Sequence, residues 1–293
     1  MHVAEKRDES MSDIDLYGTA GQAGRRPTRS RAFPWYDSVW LDEYAKAKAI
    51  IRKIKPGALA AFEAAFQVFQ TQSDFQVKVI ERVFDEKTLE EIRRVVKSLK
   101  PSDIEMHEAK SFKRFVVHDN PFFTELQKQI IPLVSAAAGE PVEVSYNFLS
   151  LYSAMGVCPV HMDSPEAKWT LDVCLDQSVT WPIYFSRPHA WSEIETQNWS
   201  DENWAENIKN SPTADFKSYI LEPGQAILFS GSSQWHYRDP MPKSGGRASC
   251  DLLFFHFIPQ GTSELVKPRN WAKMFGIPEL EQAVKTSPVM PHG

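Results

Sequence analysis

The sequence has few cysteines and no long apolar run, and these two absences exclude whole classes of protein. Three cysteines in 293 residues do not suggest a disulfide framework and suit a reducing compartment. No apolar stretch approaches the roughly 18 residues of a membrane-spanning helix. The charged start, Met1–Glu9, lacks the apolar core of a secretory signal. We therefore expect a cytoplasmic protein without a membrane partner.

An excess of positive charge is also lacking. The formal net charge is −5 at pH 7, which is the wrong sign for a chain that binds nucleic acid mainly through its phosphates. The chain is 42% hydrophobic and 24% charged, as is usual for a globular protein with a substantial core. Composition therefore disfavours a nucleic-acid partner, but it gives no oligomeric state.

Composition and periodicity divide the chain into four segments. Residues 1–32 mix charges with Gly, Ser and Thr and have no period, which predicts a disordered tail. Residues 33–141 predict a strand and helices that pack on the core. Residues 142–262 predict the core itself, with a tryptophan-rich insertion at 188–212, and residues 263–293 form a C-terminal extension.

Helical patterns dominate the segment before the core. Between Val39 and Phe69 the sequence favours one or two helices, broken at Pro56 and Gly57. A stripe of three phenylalanines at helical spacing in this stretch predicts a core-facing surface. Asp85 is a candidate N-cap for a helix that ends near Leu99. A second helix is expected from Pro121 to Ala138, ending at Gly139, and an alternating run over 75–84 predicts a strand.

After Gly139 the pattern changes to short β-rich runs separated by polar turns. The expected strands are Val142–Tyr152, Trp169–Leu175, Pro182–Phe185, Phe216–Leu221, Ala226–Ser230, Gln234–Tyr237 and Arg247–Ile258. Regularly spaced short strands of this kind predict an antiparallel sandwich, barrel or jelly roll. We therefore expect an α+β protein with a jelly-roll core and an N-terminal helical layer.

Two histidines and an aspartate form a candidate metal site. His161 and Asp163 stand at i and i+2, so on a strand their side chains share a face. His236 lies in another strand-like segment and offers a third ligand. Two imidazoles and one carboxylate on three corners of an octahedron leave open positions, the pattern of non-haem Fe(II) oxygenases.

A candidate carboxylate site follows in the sequence. Arg247 and Ser249 also stand at i and i+2, and a guanidinium beside a hydroxyl suits a carboxylate. Tyr152 ends the strand before His161, and its hydroxyl could reach the same small molecule. Taken as a single residue, Tyr152 is more often a half-buried strand tyrosine than a ligand-binding one.

In this order and spacing, His161-x-Asp163, His236 and Arg247-x-Ser249 resemble the signature of the Fe(II)/2-oxoglutarate-dependent dioxygenases. The lead-in before the core resembles the prolyl-hydroxylase-like branch. The resemblance implies a double-stranded β-helix with His161 and Asp163 on its second strand, His236 on its seventh and Arg247 on its eighth.

For the site, the resemblance implies that His161, Asp163 and His236 bind Fe(II). Arg247 and Ser249 would bind the C5 carboxylate of 2-oxoglutarate, with help from Tyr152. It implies O₂ as the second cosubstrate, succinate and CO₂ as products, and ascorbate as a candidate reductant. The expected activity is an oxidoreductase that hydroxylates or otherwise oxidises a small-molecule or amino-acid-like substrate.

Departures from related patterns narrow this expectation. Related halogenases replace the carboxylate ligand, so Asp163 favours hydroxylation. The nucleic-acid dealkylases carry a second arginine six residues after the first, where this chain has Leu253. Collagen-type prolyl hydroxylases usually have Lys in place of Arg247. A protein or peptidyl hydroxylase, or a jelly-roll module that binds metal without turnover, remains as an alternative.

Several other residues have ordinary structural interpretations. His256 has strand parity opposite to Arg247, which predicts a packed histidine that faces away from the site. Cys158 stands near His161, but without a Cys-x-x-Cys pair we expect it to be a small core thiol. Asp172 suits the barrel interior or solvent equally well. The tryptophans of the 188–212 insertion could close over a substrate or pack the insertion onto the barrel.

Overall fold

The structure is a computed structural model that describes residues 32–243 and 248–284. Its helices are α1 (Val39–Ile54), α2 (Leu59–Ala65), α3 (Glu86–Ser98), α4 (Pro121–Gln129), α5 (Ile131–Ala138), α6 (Trp191–Thr196), α7 (Trp204–Lys209), α8 (Trp271–Phe275) and α9 (Glu281–Val284). Its strands are β1 (Lys78–Ile80), β2 (Arg114–His118), β3 (Val142–Tyr152), β4 (Cys158–His161), β5 (Trp169–Gln177), β6 (Ile183–Pro188), β7 (Lys217–Tyr219), β8 (Ala226–Phe229), β9 (Gln234–Arg238) and β10 (Cys250–Pro259).

These strands form two antiparallel sheets. The larger sheet has the order β1-β8-β5-β10-β3-β2, and the smaller has the order β4-β9-β6-β7. From β3 to β10 the chain passes repeatedly between the sheets, which is the winding of a jelly roll. This confirms the predicted α+β jelly-roll fold. In the eight-strand core β4 is the second strand and β9 the seventh.

Helices cover the outer faces of both sheets. Helices α3, α4 and α5 share a buried cluster with the outward side chains of the large sheet, among them Leu149, Leu151 and Phe255. Helices α1, α2, α6 and α8 pack against outward side chains of the small sheet, including Val160 and Trp235. The expected N-terminal helical layer is therefore joined by helices from later in the chain. Within the described ranges, no helix is long and apolar enough to cross a membrane.

Local sequence signals explain where several helices begin and end. The Asp85 carboxylate accepts a hydrogen bond from the Thr88 backbone N–H at 2.8 Å, which confirms it as the N-cap of α3. The helical pattern over 121–138 is divided at Ile130, since Pro132 in the first turn of α5 has no N–H to continue the preceding helix. Gly139 ends α5 at φ +78°.

The strand expected over 75–84 is much shorter, because only Lys78–Ile80 pairs with β8. Strand β2 was not predicted at all. It pairs with β3 over Arg114–His118 and extends the large sheet at its edge. Most of the predicted tail, residues 1–31, lies outside the described residues, as does Arg247.

Aromatic packing holds α1 and α2 to the small sheet. Phe62, Phe66 and Phe69 are all fully buried, which confirms the predicted core stripe. The Phe66 ring lies 5.0 Å from the Tyr44 ring and 5.1 Å from the Trp271 ring, in edge-to-face contacts. This cluster joins the N-terminal helices to the C-terminal extension.

Substituting Phe66→Ala should destabilise the protein by about 3–5 kcal/mol, since it removes a fully buried ring and leaves a cavity. Urea unfolding followed by fluorescence would measure the loss. The control is Ile54→Ala near the end of α1, where the side chain is 43% exposed and we expect a change of at most about 0.5 kcal/mol. Equal effects for both variants would contradict the assigned packing.

Candidate metal centre

Strand pairing brings the three predicted metal ligands together. His161 on β4 lies directly opposite His236 on β9 in the sheet register, and the two ring centroids are 4.2 Å apart. Asp163 follows β4 by two residues, and its Oδ1 lies 3.4 Å from His161 Nε2 and 3.6 Å from His236 Nε2. One ligand atom from each residue lies within 4.8 Å of the others, as binding to a single ion requires.

Backbone carbonyls orient both imidazoles. His161 Nδ1 is 2.8 Å from the Pro159 carbonyl oxygen, and His236 Nδ1 is 3.0 Å from the Gln234 carbonyl oxygen. A carbonyl only accepts hydrogen bonds, so each Nδ1 donates and each Nε2 can offer its lone pair to a metal. Two aligned imidazole nitrogens and a carboxylate oxygen fit a divalent ion such as Fe(II).

Charge within the cluster also favours binding of a cation. Burial alone raises the pKa of Asp163, but the adjacent His236 and His161 outweigh it and hold that pKa well below its usual range. Burial, together with nearby His161, lowers the pKa of His236. An ionised carboxylate and a neutral imidazole are the forms in which these groups bind metal. Although burial opposes it, Cys158 and Asp163 raise the pKa of His161, so a metal ion must displace a proton from that imidazole.

Gly231, in the turn between β8 and β9, sets the position of Asp163. The Asp163 N–H donates to the Gly231 carbonyl at 2.9 Å, and the Gly231 N–H donates to the Lys168 carbonyl at 3.0 Å. A methyl group at this glycine would overlap the Asp163 carboxylate and the Ala167 carbonyl oxygen. Only glycine therefore allows the turn to approach the ligand so closely.

Residues 33–38, which we call the N-terminal strap, lie beside the metal cluster. The Trp35 indole N–H donates to the Met162 carbonyl at 3.2 Å, and Asp37 Oδ2 accepts the Ser164 N–H at 2.7 Å. These two hydrogen bonds attach the strap to Met162 and Ser164, the residues immediately before and after Asp163. Tyr36 and Asp37 consequently line the cavity that contains the metal ligands.

One end of this cavity contains two arginines and Tyr152. Arg114 Nη1 donates to the Tyr152 hydroxyl at 2.9 Å, and its Nε donates to buried Glu108. Arg238 Nη2 donates to Asp172 at 3.0 Å, and both residues are buried. The structure thus places Asp172 in the barrel interior as the partner of an arginine.

The predicted carboxylate pair is only partly described. Arg247 lies outside the described residues. Ser249 is described but does not line the cavity. Ala248 and Cys250 on either side of it pack in the interior cluster, so strand alternation directs Ser249 away. Its main chain instead pairs with Ser178, with the Ser178 N–H donating to the Ser249 carbonyl at 3.0 Å. The structure therefore does not place Ser249 in the cavity, and its role with Arg247 stays a prediction.

A wall of stacked rings also lines the cavity, and the Arg114 guanidinium lies 5.4 Å from the centre of one of its rings, that of Phe148. The Tyr146 and His256 rings are 4.1 Å apart and nearly parallel, and Phe148 stacks on Phe254 at 4.8 Å. All four residues line the cavity. The prediction that His256 faces away is therefore wrong. On β10 the even-numbered residues point inward, as Leu252 and Phe254 show, while Leu253 and Phe255 pack outside the barrel.

The structure also places the three cysteines and the tryptophans of the insertion. Cys174 and Cys250 are buried core thiols, as expected, but Cys158 lines the cavity close to His161. Trp191 and Trp199 of the insertion pack on the outer face of the small sheet, and no described tryptophan lines the metal cavity. The insertion therefore packs on the barrel and does not close over the site.

Sequence reasoning missed several cavity residues, although some carried a usable signal. Arg238 stands two positions after His236 on the same strand, so the i, i+2 rule applied to His161 predicts its direction. Tyr146 has the same parity as Tyr152 along β3. Asp37 carried no such signal, because its contact with Ser164 joins positions 127 residues apart.

Comparisons with known proteins give remote structural likenesses only. The sequence matches no protein-family model, and no curated protein matches it. HygX from Streptomyces hygroscopicus, in a crystal structure with nickel and 2-oxoglutarate bound, is similar with a TM-score of 0.47 and 13% identity, over 69% of this chain and 87% of HygX. EctD from S. alaskensis, with 2-oxoglutarate and 5-hydroxyectoine, has a TM-score of 0.45 and 13% identity, over 62% of this chain and 72% of EctD.

A third likeness is to SnoK, a non-haem α-ketoglutarate-dependent carbocyclase from nogalamycin biosynthesis. Its TM-score is 0.43 at 11% identity, over 67% of this chain and 92% of SnoK. Similarities of this size carry no argument about activity. The function must therefore be argued from the side chains of the cavity.

Substituting Gly231→Ala should weaken binding of a divalent metal by about 10- to 100-fold, because the added methyl group displaces the Asp163 carboxylate. Calorimetric titration with Zn(II) would measure the affinity, with circular dichroism to verify folding. The control is Gly57→Ala, where the methyl group meets nothing within 4 Å. Unchanged affinity in a folded Gly231→Ala variant would show that the turn does not position the ligand.

His256 should make the protein less stable in acid. Burial lowers its pKa to about 4 in the folded protein, against about 6.5 in an unfolded chain. Below pH 6.5 the imidazole is therefore protonated in the unfolded state, whereas in the folded state it stays neutral down to about pH 4. Folding stability should fall as the pH drops through this window, by about 2 kcal/mol between pH 7 and pH 5.

Urea unfolding at pH 7 and pH 5, compared between the wild type and His256→Phe, would isolate this contribution. The variant should lose about 2 kcal/mol less than the wild type over this interval. The control is His107→Phe, where the side chain is 51% exposed; it should follow the wild type. If His256→Phe shows the wild-type loss, the imidazole is not buried in its neutral form.

Proposed function

We propose that this protein is an Fe(II)- and 2-oxoglutarate-dependent oxygenase that oxidises a small molecule. The observation that carries the proposal is the cluster of His161, Asp163 and His236, with both Nε2 atoms directed toward one carboxylate inside a jelly roll. Bound Fe(II), with 2-oxoglutarate and O₂, supplies an oxidising chemistry in which succinate and CO₂ are released as a substrate C–H bond is oxidised.

The protein's own groups bind and orient the reactants. His161, His236 and Asp163 would hold the metal ion, and the cavity beside them would admit the reactants. At the end of the cavity that contains Tyr152, Arg114 and Arg238 each use two donor atoms in protein contacts. A guanidinium has five N–H groups, so both arginines can also donate to a carboxylate. The N-terminal strap helps to exclude water from the other side.

We assign the distal carboxylate of 2-oxoglutarate to this end of the cavity. Tyr152 would donate its hydroxyl, and Arg238 and Arg114 would supply charge. The motif resemblance assigns this carboxylate to Arg247, which remains a further candidate from the segment that the structure does not describe. The Ser249 side chain is the weaker part of the motif, because it does not line the cavity.

The finer placement in the prolyl-hydroxylase-like branch is part of the same proposal. It is supported by the His161-x-Asp163 motif and by the helices α3, α4 and α5 before and beside the core. A small molecule is favoured over a protein substrate because Tyr36 and Asp37 of the strap narrow the cavity. Free thiols at all three cysteines suit the cytoplasm as the site of action.

Purified protein supplied with Fe(II), ascorbate and 2-oxoglutarate should release succinate slowly without added substrate. Asp163→Ala should abolish this release because it removes a metal ligand. Tyr152→Phe should raise the KM for 2-oxoglutarate by about ten-fold, because it deletes one hydrogen bond to a charged group. Asp176→Asn, at an exposed position of β5, is the control and should behave as wild type.

Wild-type turnover by Asp163→Ala would refute the proposal. Bound metal without any succinate release would favour the alternative of a metal-binding module that is not an enzyme.

A further inference from the structure

The cavity that contains the metal ligands has two chemically different parts, here called its first and second ends. A continuous set of contacts defines the first end: Arg114 donates to the Tyr152 hydroxyl, the Tyr152 ring lies 4.8 Å from the Trp181 ring, and Arg238 lies 5.1 Å from the centre of that ring. The second end contains Asp37, Glu166, Tyr146 and His256. There the carboxylates of Asp37 and Glu166, with that of Asp163, add to burial in raising the pKa of Tyr146.

The arginines of the first end already have carboxylate partners, whereas the carboxylates of the second end have no cation within ion-pair distance among the residues that the structure describes. The Asp37 carboxylate accepts one hydrogen bond, from the backbone N–H of Ser164, and Glu166 lies two residues after Ser164 in the sequence. Among the described residues, neither forms an ion pair with a lysine or arginine. Lys267 and Arg269 lower the pKa of Glu166 only from a distance, so burial still leaves that pKa raised. Two half-buried carboxylates close to each other are unfavourable without a cation.

His256 provides an independent sign that a ligand binds at this end. Its side chain is only 3% exposed and lines the cavity, and its Nδ1 has no hydrogen-bond partner of normal geometry, although the Tyr146 backbone lies near the imidazole. A buried polar atom without a partner costs about 1–3 kcal/mol, so such atoms normally contact a ligand or water. A neutral imidazole nitrogen can accept a hydrogen bond from an N–H group.

Beside these groups, the stacked rings offer aromatic faces. Tyr146 and His256 stack at 4.1 Å, and Phe148 lies 5.3 Å from His256. Aromatic faces attract organic cations as well as flat apolar groups. A second metal ion does not fit equally well, because among the described residues only His161, Asp163 and His236 form a cluster with metal-binding spacing.

We infer that the substrate carries a positively charged nitrogen, an organic ammonium group bound between Asp37 and Glu166 with its carbon skeleton against the aromatic wall. This rests on the proposed function, because the first end of the cavity is taken as the cosubstrate half. The bound cation would neutralise the two carboxylates, and one of its N–H groups would donate to His256 Nδ1.

Binding of a matched set of small probes tests this inference without turnover. The full chain, loaded with Zn(II) and 2-oxoglutarate, is titrated with 2-phenylethylamine, with neutral 2-phenylethanol and with anionic 3-phenylpropanoate. Ligand-detected NMR measures each affinity. The amine should bind at least about ten-fold more tightly than either analogue. Failure of the amine to bind, or equal affinity for the alcohol, would overturn the inference.

Three variants test the assigned groups. Asp37→Asn and Glu166→Gln should each weaken amine binding by about five-fold or more and leave the alcohol unaffected. Asparagine tolerates the positive φ of 69° at position 37, so the strap backbone should be preserved. His256→Phe keeps the stacked ring and removes the unpartnered nitrogen, so it should also weaken the amine. Glu222→Gln, at an exposed position, is the control.

The variant series tests the proposed cation site, whereas succinate release tests the proposed oxygenase activity, so the failure of one can be told from the failure of the other. Selectivity for the amine that survives in Asp37→Asn and Glu166→Gln would overturn the inference even if 2-oxoglutarate is consumed. Selectivity that is lost in these variants, in a protein that never releases succinate, would support the cation site and refute the oxygenase.

Discussion

The antiparallel pairing of β4 with β9 is the contact on which the rest of the site depends. It sets His161 directly opposite His236 and brings their rings to 4.2 Å. Backbone hydrogen bonds to each Nδ1 then fix which nitrogen faces the cavity. Because the geometry comes from main-chain pairing, the two nitrogens are arranged before any metal arrives, and little ordering entropy is lost on binding.

The third ligand needs a different kind of support, since Asp163 lies beyond the end of β4. The Gly231 turn holds it from one side, and the strap holds its neighbours Met162 and Ser164 from the other. The strap is in turn anchored by Trp35, whose ring packs at 4.9 Å on that of Trp235 behind the metal strands. Packing on the outer face of the small sheet is thereby connected to the carboxylate on its inner face.

The jelly roll and the metal cluster could be predicted from sequence because both follow from local rules. Alternation along strands and the spacing of turns are sufficient to expect the core, and the motif places its ligands. The same rules were insufficient for His256, whose direction was inferred from the parity of Arg247 and Ser249 at the far end of the strand. Ala248, Cys250, Leu252 and Phe254 all pack in the interior cluster, so the alternation itself is continuous along this stretch. The expectation failed because it started from a Ser249 that faces the site, whereas Ser249 does not line the cavity.

Contacts between distant parts of the chain explain what else could not be foreseen. Asp37 reaches Ser164, and Tyr36 donates to Glu108 at 2.9 Å, across loops that no periodic pattern marks. The charged residues that give the two cavity ends opposite polarity come from four separate segments of the chain. They are Arg114 and Arg238 at the first end and Asp37 and Glu166 at the second. A single sequence contains these charges but does not show which of them are already neutralised.

The position of β10 in the large sheet has a consequence for how the protein matures. This strand is the last of the core in sequence, yet it lies between β3 and β5 near the middle of the sheet. Until β10 has left the ribosome, the sheet is divided into two parts with unpaired edges. The cavity wall that Phe254 and His256 form is missing from every shorter nascent chain. The cavity is therefore complete only after β10 has been made, and interrupted chains would present open edges to aggregation and proteolysis.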